Sequence, residues 1–181
     1  MRAFIAIELP QPLREALARE QARFRAVCPD ARWTRPEGIH LTLKFLGQIS
    51  AEQEARLKKA LGQMERFQKF TVRAGGFGFF PDAKRPRVFW VGLEAPPELA
   101  RLAAAVERAA EPLGFPVENR PFHPHLTLAR FKVPRPQPRL QELLARQSDP
   151  ILGAFEVSEF FLWESRLSPQ GSEYRKVARF P

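Results

Sequence analysis

Along the chain, apolar and polar positions fall into short alternating runs and longer helical stripes, separated by turns rich in proline and glycine. RAFIAIEL (2–9) is dense in β-branched and aromatic residues and ends at Pro10, which predicts a strand. PLREALAREQARFRAV (12–27) repeats its apolar residues at helical spacing, with Leu13, Ala16, Leu17 and Ala22 on or near one stripe. A turn region at Trp33-Thr34-Arg35-Pro36 leads into IHLTLKFLG (39–47), a second strand. Ser50 is placed to cap a helix over AEQEARLKKALGQM (51–64), and FTVRAGGFGFF (70–80) reads as a strand distorted by its glycines. The order then repeats. RVFWVGLE (87–94) is a strand, PELARLAAAVERAAEPLG (97–114) a helix closed by Gly114, and HPHLTLARF (123–131) a strand. PRLQELLARQ (138–147) is a helix, and FEVSEFFLWESRL (155–167) and EYRKVARF (173–180) are strands. PDAKRP (81–86) and SPQGSE (168–173) are turns that make hairpins of their flanking strands, and Pro134–Pro138 is a surface loop.

The tetrapeptide His-Leu-Thr-Leu occurs at 40–43 and again at 125–128, an offset of 85. At the same offset Arg35-Pro36 falls on Arg120-Pro121, Phe70 on Phe155, Val72 on Val157, Arg2 on Arg87 and Phe4 on Phe89. Matches along the whole chain at one offset indicate an internal duplication, with halves at about 1–85 and 86–181. VFWVGL is open to service as the last strand of the first lobe, as EYRKVARF is for the second. The expected fold is α+β, a single bilobal domain with pseudo-two-fold symmetry. Each lobe is an antiparallel sheet with helices on its outer face, and a central cleft lies between the lobes.

Charge narrows the field. The chain carries a net charge of +9, with a pI near 10.6, which favours an anionic partner such as RNA, DNA, nucleotides or acidic lipid. Its single cysteine, Cys28, excludes an internal disulfide and a cysteine-based metal cluster. No apolar run approaches the roughly 20 residues of a membrane span. Glu8 and Pro10 interrupt the N-terminal apolar stretch, so a cytoplasmic protein without a membrane partner is expected.

On a strand, His40 and Thr42 share one face while Leu41 and Leu43 point to the core; His125 and Thr127 stand likewise against Leu126 and Leu128. Each half thus offers an imidazole and a hydroxyl about 7 Å apart on a rigid surface. Two imidazoles facing across a cleft suit displacement at a phosphodiester. Histidine titrates near neutrality, so one ring can take a proton from the nucleophile and the other can give one to the leaving oxygen. The threonine hydroxyls can donate to non-bridging phosphate oxygens. Such a site needs no metal or other cofactor. Packing alone is the competing account of one His-x-Thr, and His123 with His125 and His40 leaves a three-histidine metal site open.

The paired HxTx motifs, with FIAIELP, HLTLKFLG, FWVGLE and HPHLTLAR around them, resemble the 2H phosphoesterase superfamily. The nearest branch is the 2′-5′ RNA ligase-like RNA 2′,3′-cyclic phosphodiesterases, and the similarity spans essentially the whole chain. The resemblance implies hydrolysis of an RNA 2′,3′-cyclic phosphate end to a 2′-phosphomonoester without metal, and ATP-independent 2′-5′ ligation as a side activity. It implies that His40 is the proton donor, His125 the proton acceptor, and Thr42 and Thr127 the phosphate holders. It also implies that Phe45 stacks on the terminal base and Arg130 contacts the substrate, although strand parity sends both away from the cleft. Arg35, Arg120 and Lys44 are further candidates to track an RNA backbone. The substrate class includes tRNA fragments and small nucleotides. A non-catalytic RNA- or nucleotide-binding module and a phosphodiesterase for a small cyclic nucleotide are the alternatives. A monomer is expected, because one chain supplies both halves of the site.

Overall fold

A computed structural model describes residues 1–147 and 151–181. The turn region at Trp33 holds a short strand of its own, and the single strand expected over 155–167 is two; among the described residues there are nine strands and four helices. In chain order they are β1 (Arg2–Glu8), α1 (Gln11–Val27), β2 (Arg32–Trp33), β3 (His40–Gln48), α2 (Ala51–Gly62), β4 (Phe70–Phe80) and β5 (Val88–Glu94). There follow α3 (Pro97–Ala110), β6 (His125–Arg130), α4 (Pro138–Ala145), β7 (Ile151–Val157), β8 (Phe160–Ser168) and β9 (Gly171–Phe180). Ser50 caps α2 as expected: its side chain accepts from the Gln53 amide while the Gln53 side chain takes the Ser50 amide. Both turn segments make hairpins, with Phe80 opposite Val88 and Ser168 opposite Gly171.

The strands form two curled antiparallel sheets of mixed origin. The first runs β3-β1-β8-β9 and the second β2-β6-β5-β4-β7. Element for element, β3-β1-β8-β9 corresponds to β6-β5-β4-β7, so the two sheets are built alike. Neither sheet is made from one half of the sequence, however. β4 leaves the first half to pair with β5, and β8 leaves the second to pair with β1. The expectation that VFWVGL serves the first lobe and EYRKVARF the second is therefore reversed: β5 lies beside β6, and β9 beside β8 in the His40 sheet. The helices cross over too. Phe24 of α1 packs edge-on to Phe77 and Phe89 of the second sheet, whereas α3 lies against β3 of the first, with α2 beside it.

One continuous apolar core joins the sheets to these helices, including Ile5 and Ile7 from β1 and Phe89 and Val91 from β5. A smaller cluster of Phe4, Ala6, Phe161 and Trp163, with Tyr174 against it, occupies the opposite face of the first sheet. β1 is thus apolar on both faces, as a central strand buried on both sides must be. The register corrects one detail of the repeat. Phe4 pairs with Phe45 and Val88 pairs with Arg130, so the counterpart of Phe4 is Val88, and Phe89 faces the core instead.

Candidate active site

Residue by residue, the two copies of His-Leu-Thr-Leu are built in the same way. In each, the leucines are fully buried or nearly so and the threonine is half-buried on the other face. The Nδ1 atom of His40 lies 3.0 Å from the carbonyl of Gly38, and that of His125 lies 2.7 Å from the carbonyl of His123. A carbonyl only accepts, so each ring carries its proton on Nδ1 and presents Nε2 as the reactive atom. β3 and β6 approach each other, their Cα atoms coming within 8 Å. The two motifs therefore stand on neighbouring strands from different sheets.

Beyond the threonines, both strands break step at the same place. In β3 the pairing with β1 passes from Ala6–Thr42 to Ile5–Lys44, leaving Leu43 as the extra residue. In β6 the pairing with β5 passes from Trp90–Thr127 to Phe89–Ala129, leaving Leu128 as the extra residue. Each is a β-bulge, and one extra residue swaps the faces of everything after it. The bulge brings Phe45 onto the His40 face, 71% exposed and 6.4 Å from the ring of Phe4. It also brings Arg130 onto the His125 face, where its charge disfavours protonation of that imidazole. Plain alternation had sent both residues away; the bulges put them on the histidine faces instead. The carbonyl of Leu128 accepts from Thr34 N at 2.9 Å and from the buried Gln21 amide at 3.0 Å, which secures the second bulge.

The same shift turns Lys44 inward. Its side chain is 4% exposed, and its Nζ donates to Glu107 at 2.5 Å and to the carbonyl of Pro116 at 2.8 Å. Lys44 is an internal tie between β3 and α3 and does not track a ligand. Arg35 lies over the hairpin glycine Gly171, while Arg120 is exposed, so these two symmetric arginines have different surroundings. Cys28 is buried at the end of α1, its thiol donating to Gln137, and burial pushes its pKa up.

The two imidazoles sit in unlike environments. His40 is 8% exposed and lies among Trp163, Tyr174 and Phe4, with ring centroids 4.4, 5.2 and 5.4 Å away. Gly38 makes room for this packing: a Cβ there would meet the Tyr174 ring at 2.7 Å. Burial drives the His40 pKa down to about 4, opposed by the Gly38 carbonyl; Arg14 and Lys176 lower it and Glu8 raises it. Its Nε2 is buried and unpartnered. Glu8 stands directly opposite His40 in the sheet register and binds Arg14 at 3.0 Å and Lys176 at 2.5 Å. His125 packs edge-on against Phe80 at 4.9 Å, and its pKa is also lowered by burial, then by the charges of His123 and Arg130. His123 lies against Phe80 and Trp90, its ring centroid 6.3 Å from that of His125. Among the described residues no three His, Cys, Asp or Glu side chains are grouped to hold a metal ion, and no helix is long and apolar enough to cross a membrane.

Sequence reasoning missed the aromatic surround of His40 and the carboxylate beside it. Part of the signal was present in FIAIEL, which is apolar at both parities apart from one acidic residue, Glu8.

A family model described as the 2′-5′ RNA ligase superfamily matches residues 10–168. The chain belongs to the 2′-5′ RNA ligase superfamily. Among its superfamily relatives, the RNA 2′,3′-cyclic phosphodiesterase of Archaeoglobus fulgidus is 33% identical over 180 residues, covering 99% of each chain. A protein of the same name from Aeropyrum pernix is 41% identical over 142 residues, 78% of this chain and 80% of that one. The crystal structure of E. coli LigT in apo form superposes with a TM-score of 0.81 at 30% identity, covering 99% of this chain and 95% of that one. The two-sheet architecture is thus that of solved members of the superfamily.

Proposed function

We propose that this protein hydrolyses RNA 2′,3′-cyclic phosphate ends to 2′-phosphomonoesters by paired-histidine acid–base catalysis. The observation that carries this reading is the duplicated Nδ1 anchor, which leaves two Nε2 atoms on adjacent strands, each with a threonine hydroxyl on the same face. Relatives named RNA 2′,3′-cyclic phosphodiesterase over nearly the full chain support the substrate class. In the proposed step, His125 Nε2 takes a proton from water as the water oxygen bonds to phosphorus. The bond from phosphorus to O3′ breaks, and His40 Nε2–H protonates the departing O3′. Thr42 and Thr127 donate to the non-bridging oxygens, Phe45 stacks on the terminal base and Arg130 contacts the substrate. With a 5′-hydroxyl in place of water, the same displacement yields a 2′-5′ bond and needs no ATP.

The roles of donor and acceptor follow the family resemblance. At His40 burial and the Arg14 charge disfavour the imidazolium, and Glu8 beside it is the acidic group that favours it. Burial, and after it the Arg130 charge, favour the neutral form of His125, as a base requires. The phosphodiester anion raises the His40 pKa on entering, so that the imidazole takes up from solvent the proton that burial withholds in the free protein.

The test is an oligonucleotide ending in a 2′,3′-cyclic phosphate, incubated with the protein in excess EDTA. A 2′-phosphate end is expected. No product overturns the reading, and activity abolished by chelator replaces it with a metal-dependent one.

A further inference from the structure

The two rims of the site differ in how their cations are held. On the β8–β9 rim of the first sheet, Arg166 and Arg175 both bind Glu164, Lys176 binds Glu8 and Arg179 binds Glu159. Each of these cations is held by a carboxylate. The β4–β5 rim of the second sheet is the opposite case. Lys84 and Arg85 occupy the hairpin tip, and Arg87 sits at its base, where its carbonyl accepts from Phe131 N at 2.9 Å. That bond brings the hairpin alongside Arg130 and Lys132. α4 holds the tip in place through Gln141 Nε2, which donates to the Ala83 carbonyl at 3.1 Å. Asp82, the acidic residue of the hairpin, is occupied with the amides of Lys84 and Arg85.

Arg32 of β2 stands directly opposite Arg130 of β6 in the sheet register. Like charges facing across a strand pair destabilise it, and an anion shared between them removes that penalty. Arg32, Lys84, Arg85, Arg87, Arg130 and Lys132 are all exposed, and among the described residues none of them is ion-paired. Arg130 lies five residues beyond His125, roughly 15 Å along the strand. Lys132, Lys84 and Arg85 continue from there, past what one nucleotide seated at His125 would cover.

We propose that this rim is a binding track for the body of a single-stranded RNA, so that the enzyme prefers cyclic-phosphate ends of oligonucleotides over cyclic mononucleotides. This rests on the reading of the site as a cyclic phosphodiesterase. The polyanion is held by phosphate contacts without base readout, leaving the sequence upstream of the end unselected.

The test compares kcat/KM on a ten-nucleotide RNA with a 2′,3′-cyclic phosphate end and on 2′,3′-cyclic AMP. It uses the native protein and the variant R32A/K84A/R85A/K132A, which spares Arg130. The variant should lose ten-fold or more on the oligonucleotide and nothing on cyclic AMP. Each phosphate contact contributes about 0.7 to the salt slope of single-strand binding, so the slope should fall by about 2 to 3. The R166A/R175A variant on the opposite rim should leave the slope unchanged. Equal behaviour of the native protein and the rim variant on both substrates overturns the proposal. Fluorescence anisotropy with the same RNA ending in a 3′-hydroxyl tests the track apart from chemistry. A native protein inactive on both substrates refutes the phosphodiesterase reading, while the track stands or falls on anisotropy alone. Binding to phosphatidylserine vesicles that depends on these four cations, without RNA binding, also overturns it.

Discussion

His40 is held neutral by its own burial, and this has a thermodynamic consequence. Its ordinary pKa is 6.5, and in the folded protein burial lowers it to about 4. Between these values the unfolded chain binds more protons than the folded one, so stability falls as pH falls. The contribution is fully present above pH 6.5 and gone below about pH 4, and is worth about 3 kcal/mol. Urea unfolding at a series of pH values should show this loss in the native protein. In His40→Gln the decline over the same window should be shallower by about that amount, the remainder reflecting the depressed His125. Glu8 acts on the same ring in the opposite sense, favouring the imidazolium. Glu8→Gln removes that influence and leaves Arg14 and Lys176 uncompensated nearby. With His40 as the proton donor, the alkaline limb of kcat should move to lower pH. At pH 7.5 kcat should drop about ten-fold, a shift of roughly one pKa unit, with KM unchanged. An unmoved limb would remove Glu8 from the role.

At the level of elements, two bulges decide what each motif strand presents. Lys44 shows this through energetics. Turned inward by the first bulge, it pairs with Glu107 of α3 in a half-dry setting, where removing one partner strands the other. Lys44→Met should cost about 3 kcal/mol in urea unfolding, and adding Glu107→Leu should restore at least half of it. An RNA-tracking lysine would instead lower the salt slope of RNA binding, which Lys44→Met should leave unchanged. The bulges also mark where reading by alternation stopped. His40, Thr42, His125 and Thr127 were legible because period-two patterning holds as far as the threonines. It fails at Leu43 and Leu128, since a bulge costs one residue and leaves no fixed composition behind. The adjacent apolar pair Leu128-Ala129 was the one visible break in step; in HLTLKF alternation continues unbroken through Lys44. Phe45 and Arg130 were therefore placed by resemblance alone, and Lys44 was grouped with surface cations.

For the whole molecule, the duplication was readable as an offset of 85, but the exchange of strands between halves was not. Sequence periodicity identifies strands and says nothing of which edge each one joins. The consequence is mechanical. β1 is covered on one edge by β3 and on the other by β8, about 160 residues away, and β5 needs β4 from the preceding half. Residues 1–85 expressed alone would leave β1 with an open edge and β4 without its sheet. Residues 86–181 would hold the β8–β9 hairpin without the β1 strand it joins. Open, apolar strand edges invite association and cannot support a core of this kind. α1 adds to the effect, because its buried face, Phe24 included, packs against β5 of the other half. Each half should therefore show little fixed near-ultraviolet dichroism and no cooperative thermal transition by itself. Mixing equal amounts should restore both, together with the two-sheet site. A half that unfolds cooperatively alone would mean that the exchanged strands are dispensable, and that each histidine keeps its setting without the other sheet. The arrangement described here instead makes the pairing of His40 and His125 a condition of folding.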